Sequence, residues 1–131
     1  MSSRLVLRSG LALLLLAGTA CGGGDSGGDS TKPLATVPAG ALEVDAGPGL
    51  KWAEPAYTAA AGELTVAMVN RDSQLHTLVI VDGDRKTQGP ELEVGKSGDI
   101  DTGSYTLAAG EYEILCLVPG HNNMKATLTV E

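Results

Sequence analysis

From about Leu42 onward the chain reads as short segments separated by Gly, Asp and Asn turns, and no apolar period of 3.6 residues runs through them. The turn clusters are Ala61-Gly62, Asn70-Arg71-Asp72-Ser73, Asp82-Gly83-Asp84, Lys96-Ser97-Gly98-Asp99 and Ala109-Gly110. Each supplies the glycine or short polar side chain that a tight turn needs. The segments between them predict strands over 41–45, 52–58, 63–69, 75–81, 91–94, 103–107, 111–116 and 124–130. About eight short strands at this spacing predict an all-β fold, an antiparallel sandwich or barrel. The chain has no Phe, one Trp and three Tyr, so its core has to be aliphatic.

Two of these strands can be aligned by the alternation of side chains between sheet faces. In 111–116, Glu111 and Glu113 belong in water, which turns Tyr112, Ile114 and Cys116 inward. In 124–130, Lys125, Thr127 and Thr129 face out, leaving Met124, Ala126, Leu128 and Val130 inward. Cys116 and Met124 are thereby predicted on core-facing sides at opposite ends of one loop, and that loop contains His121.

The first forty residues have a different character. Arg4 and Arg8 precede an apolar run from Leu11 to Ala17, far shorter than the roughly 20 residues a membrane span requires. Small residues then lead to Cys21. The segment resembles a bacterial lipoprotein signal, with Thr19-Ala20-Cys21 as the box that ends at a lipidated cysteine. The resemblance implies a signal peptide over 1–20 and a lipid anchor on Cys21. Residues 22–32 (GGGDSGGDSTK) hold too few apolar groups to fold and suit a flexible stalk. The expected organisation is therefore signal peptide 1–20, lipidated Cys and linker 21–40, and one domain over 41–131. An ordinary cleaved signal peptide is the plainer alternative.

Formal net charge is −7, and removing Arg4 and Arg8 with the leader leaves seven basic residues against sixteen acidic, a net −9. Such a surface repels nucleic acid and anionic headgroups, and suits a basic partner if its acids cluster.

Apart from Cys21 the chain has a single Cys, and it has only two His. Cys116-Leu-Val-Pro-Gly-His121-Asn-Asn-Met124 gathers a thiolate, an imidazole and a thioether within nine residues, while His76 opens an apolar segment directly after a turn. Two imidazoles and a thiolate with a weak axial thioether are the ligands of a blue-copper electron-transfer site. Soft sulfur favours the cuprous state, imidazole serves both states, and a fixed arrangement leaves little to move when an electron arrives. Taken singly, each residue has a plainer reading: Cys116 as a small buried hydrophobe, Met124 as core filler, His76 as a structural histidine. Together with the loop spacing and the inward alternation they predict copper. Ligation also explains how a lone thiol survives unpaired in an oxidising compartment.

Along 41–131 the chain resembles the cupredoxin family, whose members include azurin, plastocyanin and amicyanin. One early His is followed by a Cys, His and Met on a single loop near the C-terminus. The Cys-x4-His spacing is similar to azurin's and the His-x2-Met spacing to amicyanin's, with Pro119-Gly120 setting the loop turn. The resemblance implies a Greek-key sandwich and one copper ion. It implies in-plane ligation by His76, Cys116 and His121, with Met124 axial. Family members often use residues near the first His to hold the Cys loop, which makes Asn70 and Thr77 candidates. Asn70 as a turn residue and Thr77 as an ordinary strand residue remain open alternatives. Around His121 the loop offers Leu117, Val118 and Pro119 as an apolar collar for a partner.

The inventory also argues by exclusion. A binuclear copper site needs two Cys on this loop, and multicopper oxidases and copper nitrite reductases need more His than two. A structural zinc site would also want more Cys or His. With both His used as ligands no Ser-His-Asp arrangement can be spared, and Gly95-Lys96-Ser97 is no Walker-type loop, Pro90 standing where the first glycine of that motif would be. The expectation is an electron carrier, not an enzyme. It would work as a monomer between redox proteins such as a cytochrome or a membrane oxidase or reductase, lipid-anchored to the outer face of the cytoplasmic membrane. The alternatives are a copper storage or delivery protein, which would display several Met or His on an open segment, and a metal-free sandwich, which would have no dependence on Cys116.

Overall fold

A computed structural model describes residues 35–131. The leader, Cys21 and most of the linker lie outside the described residues. Nine strands follow in order: β1 (Leu42–Gly47), β2 (Lys51–Trp52), β3 (Ala56–Ala59), β4 (Gly62–Asn70), β5 (His76–Val81), β6 (Thr87–Val94), β7 (Ile100–Leu107), β8 (Gly110–Leu115) and β9 (Lys125–Val130). They form two sheets, ordered β2-β1-β4-β7 and β3-β9-β8-β5-β6, with no helix among the described residues. The fold is an all-β sandwich.

Between the sheets lies the aliphatic core the composition requires. Val44, Val66, Met68, Leu78, Ile80, Ile114 and Leu128 are fully buried, joined by Trp52 and Tyr105. Each large side chain withdrawn from water contributes about 1.5–3 kcal/mol. The alternation over 124–130 holds in the main: Met124, Ala126, Leu128 and Val130 are buried, Lys125 and Thr127 are exposed, and Thr129 is half-buried.

Three of the departures from the sequence expectation bear on the architecture. The predicted strand 52–58 is two strands, β2 pairing with β1 and β3 with β9. Pro55 lies between them; it has no N–H for a ladder and holds Glu54 out of helical geometry, so the chain passes there from one sheet to the other. Second, the sheets are mixed rather than purely antiparallel: β1 runs parallel to β4, and β3 parallel to β9. Third, β6 begins at Thr87 instead of 91 and runs through Gly89-Pro90. It is an edge strand, where a proline costs no ladder bond. The Tyr105 ring lies directly on Gly89, where a Cβ would stand 2.5 Å from Cδ1, and its hydroxyl donates to the Pro90 carbonyl at 2.8 Å.

This topology gathers one set of strand ends. The end of β4, the start of β5, the end of β8 and the start of β9 bring Asn70, His76, Cys116 and Met124 to the same end of the sandwich, all buried.

Candidate metal centre

His76, Cys116 and His121 meet there, their donor atoms all within 4.8 Å of one another. The Cys116 Sγ lies 3.6 Å from His121 Nδ1, and the two imidazole centroids are 5.1 Å apart, inclined by 46°. His76 is fully buried, His121 is 6% exposed and Cys116 8%, so water is largely excluded.

The loop that carries three of the predicted ligands is built from its own sequence. Val118-Pro119-Gly120-His121 closes as a turn, the His121 N–H donating to the Val118 carbonyl at 3.0 Å. Proline presets the first central residue and Gly120 takes the second at φ +91°, a conformation that favours glycine. A second turn follows, with the Met124 N–H on the His121 carbonyl at 2.8 Å. The Cys116 N–H then reaches the Met124 carbonyl at 3.1 Å and ties the loop's ends together. Met124, 1% exposed, packs in the same core cluster as Cys116.

Thr77 and Asn70 have different tasks. Thr77 Oγ1 accepts the Leu117 N–H at 3.0 Å, so β5 holds the Cys116 loop next to its own histidine. Asn70, fully buried, makes no hydrogen bond to that loop. From the last position of β4 its amide donates to the Gln74 carbonyl at 2.7 Å and the Val94 carbonyl at 3.4 Å, and its oxygen accepts the Asp72 N–H at 2.9 Å, so it builds the turn that leads to His76.

Asp72 is the site residue that sequence reasoning missed. Its Oδ1 accepts from His76 Nε2 at 2.9 Å and from the Gln74 N–H at 2.8 Å. Burial works to raise its pKa, but the Gln74 N–H and the histidine outweigh it and hold the carboxyl below its ordinary value. The sequence signal was an acid four residues before a histidine within a turn, which turn chemistry alone already explained.

A metal fits this arrangement on the structure's own terms. With Nε2 committed to Asp72, the Nδ1 of His76 is left buried with no hydrogen-bond partner. An uncoordinated lone pair there would be a cost, and the carboxylate–histidine pairing that fixes the other nitrogen is the habit of metal-bound imidazole. Two imidazoles, one thiolate and a thioether select copper over harder ions. His76, Cys116, His121 and Met124 are placed to bind one copper ion.

The collar residues differ among themselves. Leu117 is 56% exposed and Pro119 exposed, whereas Val118 is half-buried against the core. Leu75, beside His76, is 44% exposed; with Leu117 it makes up the exposed large hydrophobics among the described residues. Both directly adjoin ligand positions.

No family model matches the sequence, and no curated protein matches it. Solved structures do. Auracyanin A, a "blue" copper protein from the green thermophilic photosynthetic bacterium Chloroflexus aurantiacus, matches with a TM-score of 0.60 and 22% identity, over 70% of this chain and 98% of that one. Dithionite-reduced auracyanin from the photosynthetic bacterium Roseiflexus castenholzii matches at 0.60 and 24%, over 70% and 97%. The reduced state of an amicyanin point mutant matches at 0.56 and 28%, over 75% and 89%.

Proposed function

The chain has the cupredoxin fold and the donor set of a type 1 copper site, and on that premise we propose that it is a blue-copper carrier shuttling single electrons between redox partners outside the cytoplasmic membrane. The observation that carries this reading is the buried His76–Cys116–His121 cluster, with the free Nδ1 of His76 inside it.

Copper bound there supplies a one-electron couple between cupric and cuprous states. The chain's own part is to keep the ligands still. Asp72 fixes the His76 ring, Thr77 fixes the start of the loop, and the two turns fix His121 against Met124. A carrier is fast when little has to reorganise, and side chains locked by packing and hydrogen bonds reorganise little. Burial also argues against storage or delivery, which needs ligands that a recipient can reach. Met68, the other methionine among the described residues, is fully buried in the core.

We place the protein on the outer face of the cytoplasmic membrane, anchored through Cys21, with residues 22–32 as a tether that lets the domain swing between a donor and an acceptor such as a cytochrome or a membrane oxidase. The exposed side chains of Leu117 and Pro119 support a docking collar that a partner can cover without stripping water from ions.

Adding cupric ion to the mature apoprotein tests the copper reading. One ion per chain should bind and produce an intense visible band from thiolate-to-copper charge transfer. A protein that binds copper and stays colourless is not a blue-copper carrier. For the anchor, the wild type should partition with membranes, and Cys21→Ser should release it or block its maturation. A soluble wild type without lipid sinks the anchored form.

A further inference from the structure

On the electron-transfer reading above, we propose that an open groove beside His121 is the docking site for the acidic face of a redox partner. The groove, about 470 Å³, runs between residues 49–55 and the start of β9, and its lining includes Lys51, Trp52, Glu54, His121, Asn123 and Lys125.

Charge is the first argument. The chain is acidic, at −7. Among the described residues Arg71 and Arg85 are spent on acids of the chain itself, Arg71 on Glu43 and Asp45, Arg85 on Glu113. Four lysines remain there, Lys51, Lys86, Lys96 and Lys125, and none of them is in an ion pair. Two of the four flank this one groove, with Glu54 as its only acid. At a Debye length of about 10 Å a partner responds to that local surplus and not to the whole molecule.

The lining is the second argument. Trp52, the chain's one tryptophan, is 6% exposed, and its indole N–H is buried with no hydrogen-bond partner. Trp52 is therefore an apolar floor to a groove that Lys51 and Lys125 also line, a surface that a partner can cover without stripping water from ions. Leu50, on the rim, holds φ +55°, an uncommon conformation for a branched side chain.

Position is the third. His121 lines the groove on one side and adjoins Leu117 to Gly120 in the loop on the other. A partner covering both touches the same imidazole through an apolar contact and an ionic one. The chain's net negative charge repels an acidic partner from most approaches, and a groove carrying two lysines against one acid opposes that repulsion, so orientation follows from repulsion as much as from attraction. Net charge alone leads to the expectation of a basic partner if the acids cluster; at this one face the local surplus has the opposite sign.

The test begins with hexacyanochromate(III), a redox-inert paramagnetic trianion, added to the copper-free protein. Amide resonances of Gly49, Lys51, Ala53, Gly120 and Asn123 should broaden selectively, and Lys51→Glu/Lys125→Glu should abolish the effect. Broadening centred on Lys86 and Lys96, or spread evenly, overturns the proposal. The second stage uses succinylated cytochrome c, an acidic redox protein, as acceptor: one electron passes from the reduced protein to the ferric haem and nothing else is transferred. At low ionic strength Lys51→Glu/Lys125→Glu should slow this exchange about tenfold relative to Lys86→Glu/Lys96→Glu, which has the same net charge. Equal slowing by both variants overturns the proposal. The amide map needs no copper, so a protein that shows the map but never turns blue refutes the copper reading alone. A blue protein without the map refutes the groove alone.

Discussion

Two segments supply the metal centre, and they are held in opposite ways. The turn from Asn70 to His76 contributes one ligand and is fastened from outside. The Arg71 N–H donates to the Ala46 carbonyl at 2.8 Å, its guanidinium reaches Glu43 and Asp45, the Asn70 N–H donates to the Asp99 carbonyl, and the Gly98 N–H donates back to Asn70. Inside it, Asn70 and Asp72 bond the turn's own backbone. The loop from Cys116 to Met124 contributes three ligands and is fastened from within, by two turns and one closing bond, with Thr77 as an external tie. The first segment is an anchor defined by tertiary structure; the second is a local motif that carries its geometry in its sequence.

That difference explains what could be read without coordinates. Pro119-Gly120 dictates its turn locally, and strict alternation aims Cys116 and Met124 inward, so the loop was legible down to its ligands. The strands 75–81 and 124–130 were legible for the same reason, being continuous or alternating apolar runs. Asp72 was not, because a carboxylate in an Asn-Arg-Asp-Ser cluster satisfies turn chemistry whether or not an imidazole arrives behind it. Nor was the division at Pro55, since β2 and β3 differ only in which sheet each finds, a question of partners distant in sequence. The groove beside His121 depends on bringing Lys51 and Lys125 together across such a distance.

The widest separation between the two segments comes from removing a donor. Cys116→Ser takes away the thiolate, so the visible band should disappear entirely while the circular dichroism of the sandwich stays that of the wild type. The anchor segment is untouched by this change. If the blue colour persisted, the thiolate would not be the ligand and the loop would lose its role.

Asn70→Ala attacks the anchor instead. It strips a fully buried amide whose oxygen holds the Asp72 N–H and whose NH2 holds the Gln74 carbonyl. Leaving those groups unsatisfied should cost about 2–3 kcal/mol, measured as a lower denaturant midpoint at unchanged slope. Asp72 then orients His76 less firmly, and copper affinity should fall by roughly 10- to 100-fold. A stability loss with unaltered affinity would mean that the turn supports the fold and not the histidine.

Gly120→Ala probes the loop's self-sufficiency. A Cβ there meets nothing within 4 Å, so the penalty is backbone strain alone at φ +91°, about 1–2 kcal/mol. Because the loop is tied at both ends, colour should survive with a lower thermal midpoint. Loss of copper from this variant, at a smaller stability cost than Asn70→Ala, would show the loop to be the more fragile of the two segments.

The smallest change falls on Met124, where the loop rejoins the core. Its side chain is 1% exposed, and leucine conserves its volume and its apolar character, so the stability cost of Met124→Leu should stay below about 1.5 kcal/mol. The backbone bonds of Met124 to His121 and Cys116 are unaffected by side-chain identity, and the loop should keep its shape. What the substitution removes is a weak thioether donor. That donor favours the cupric form, so its loss should raise the reduction potential while the protein remains blue, and Met124→Gln, a harder oxygen donor, should lower it. The pair of variants gives a signed readout that packing alone cannot imitate, since both fill the cavity. Unchanged potentials in both would assign Met124 to the core and leave the axial position to another group.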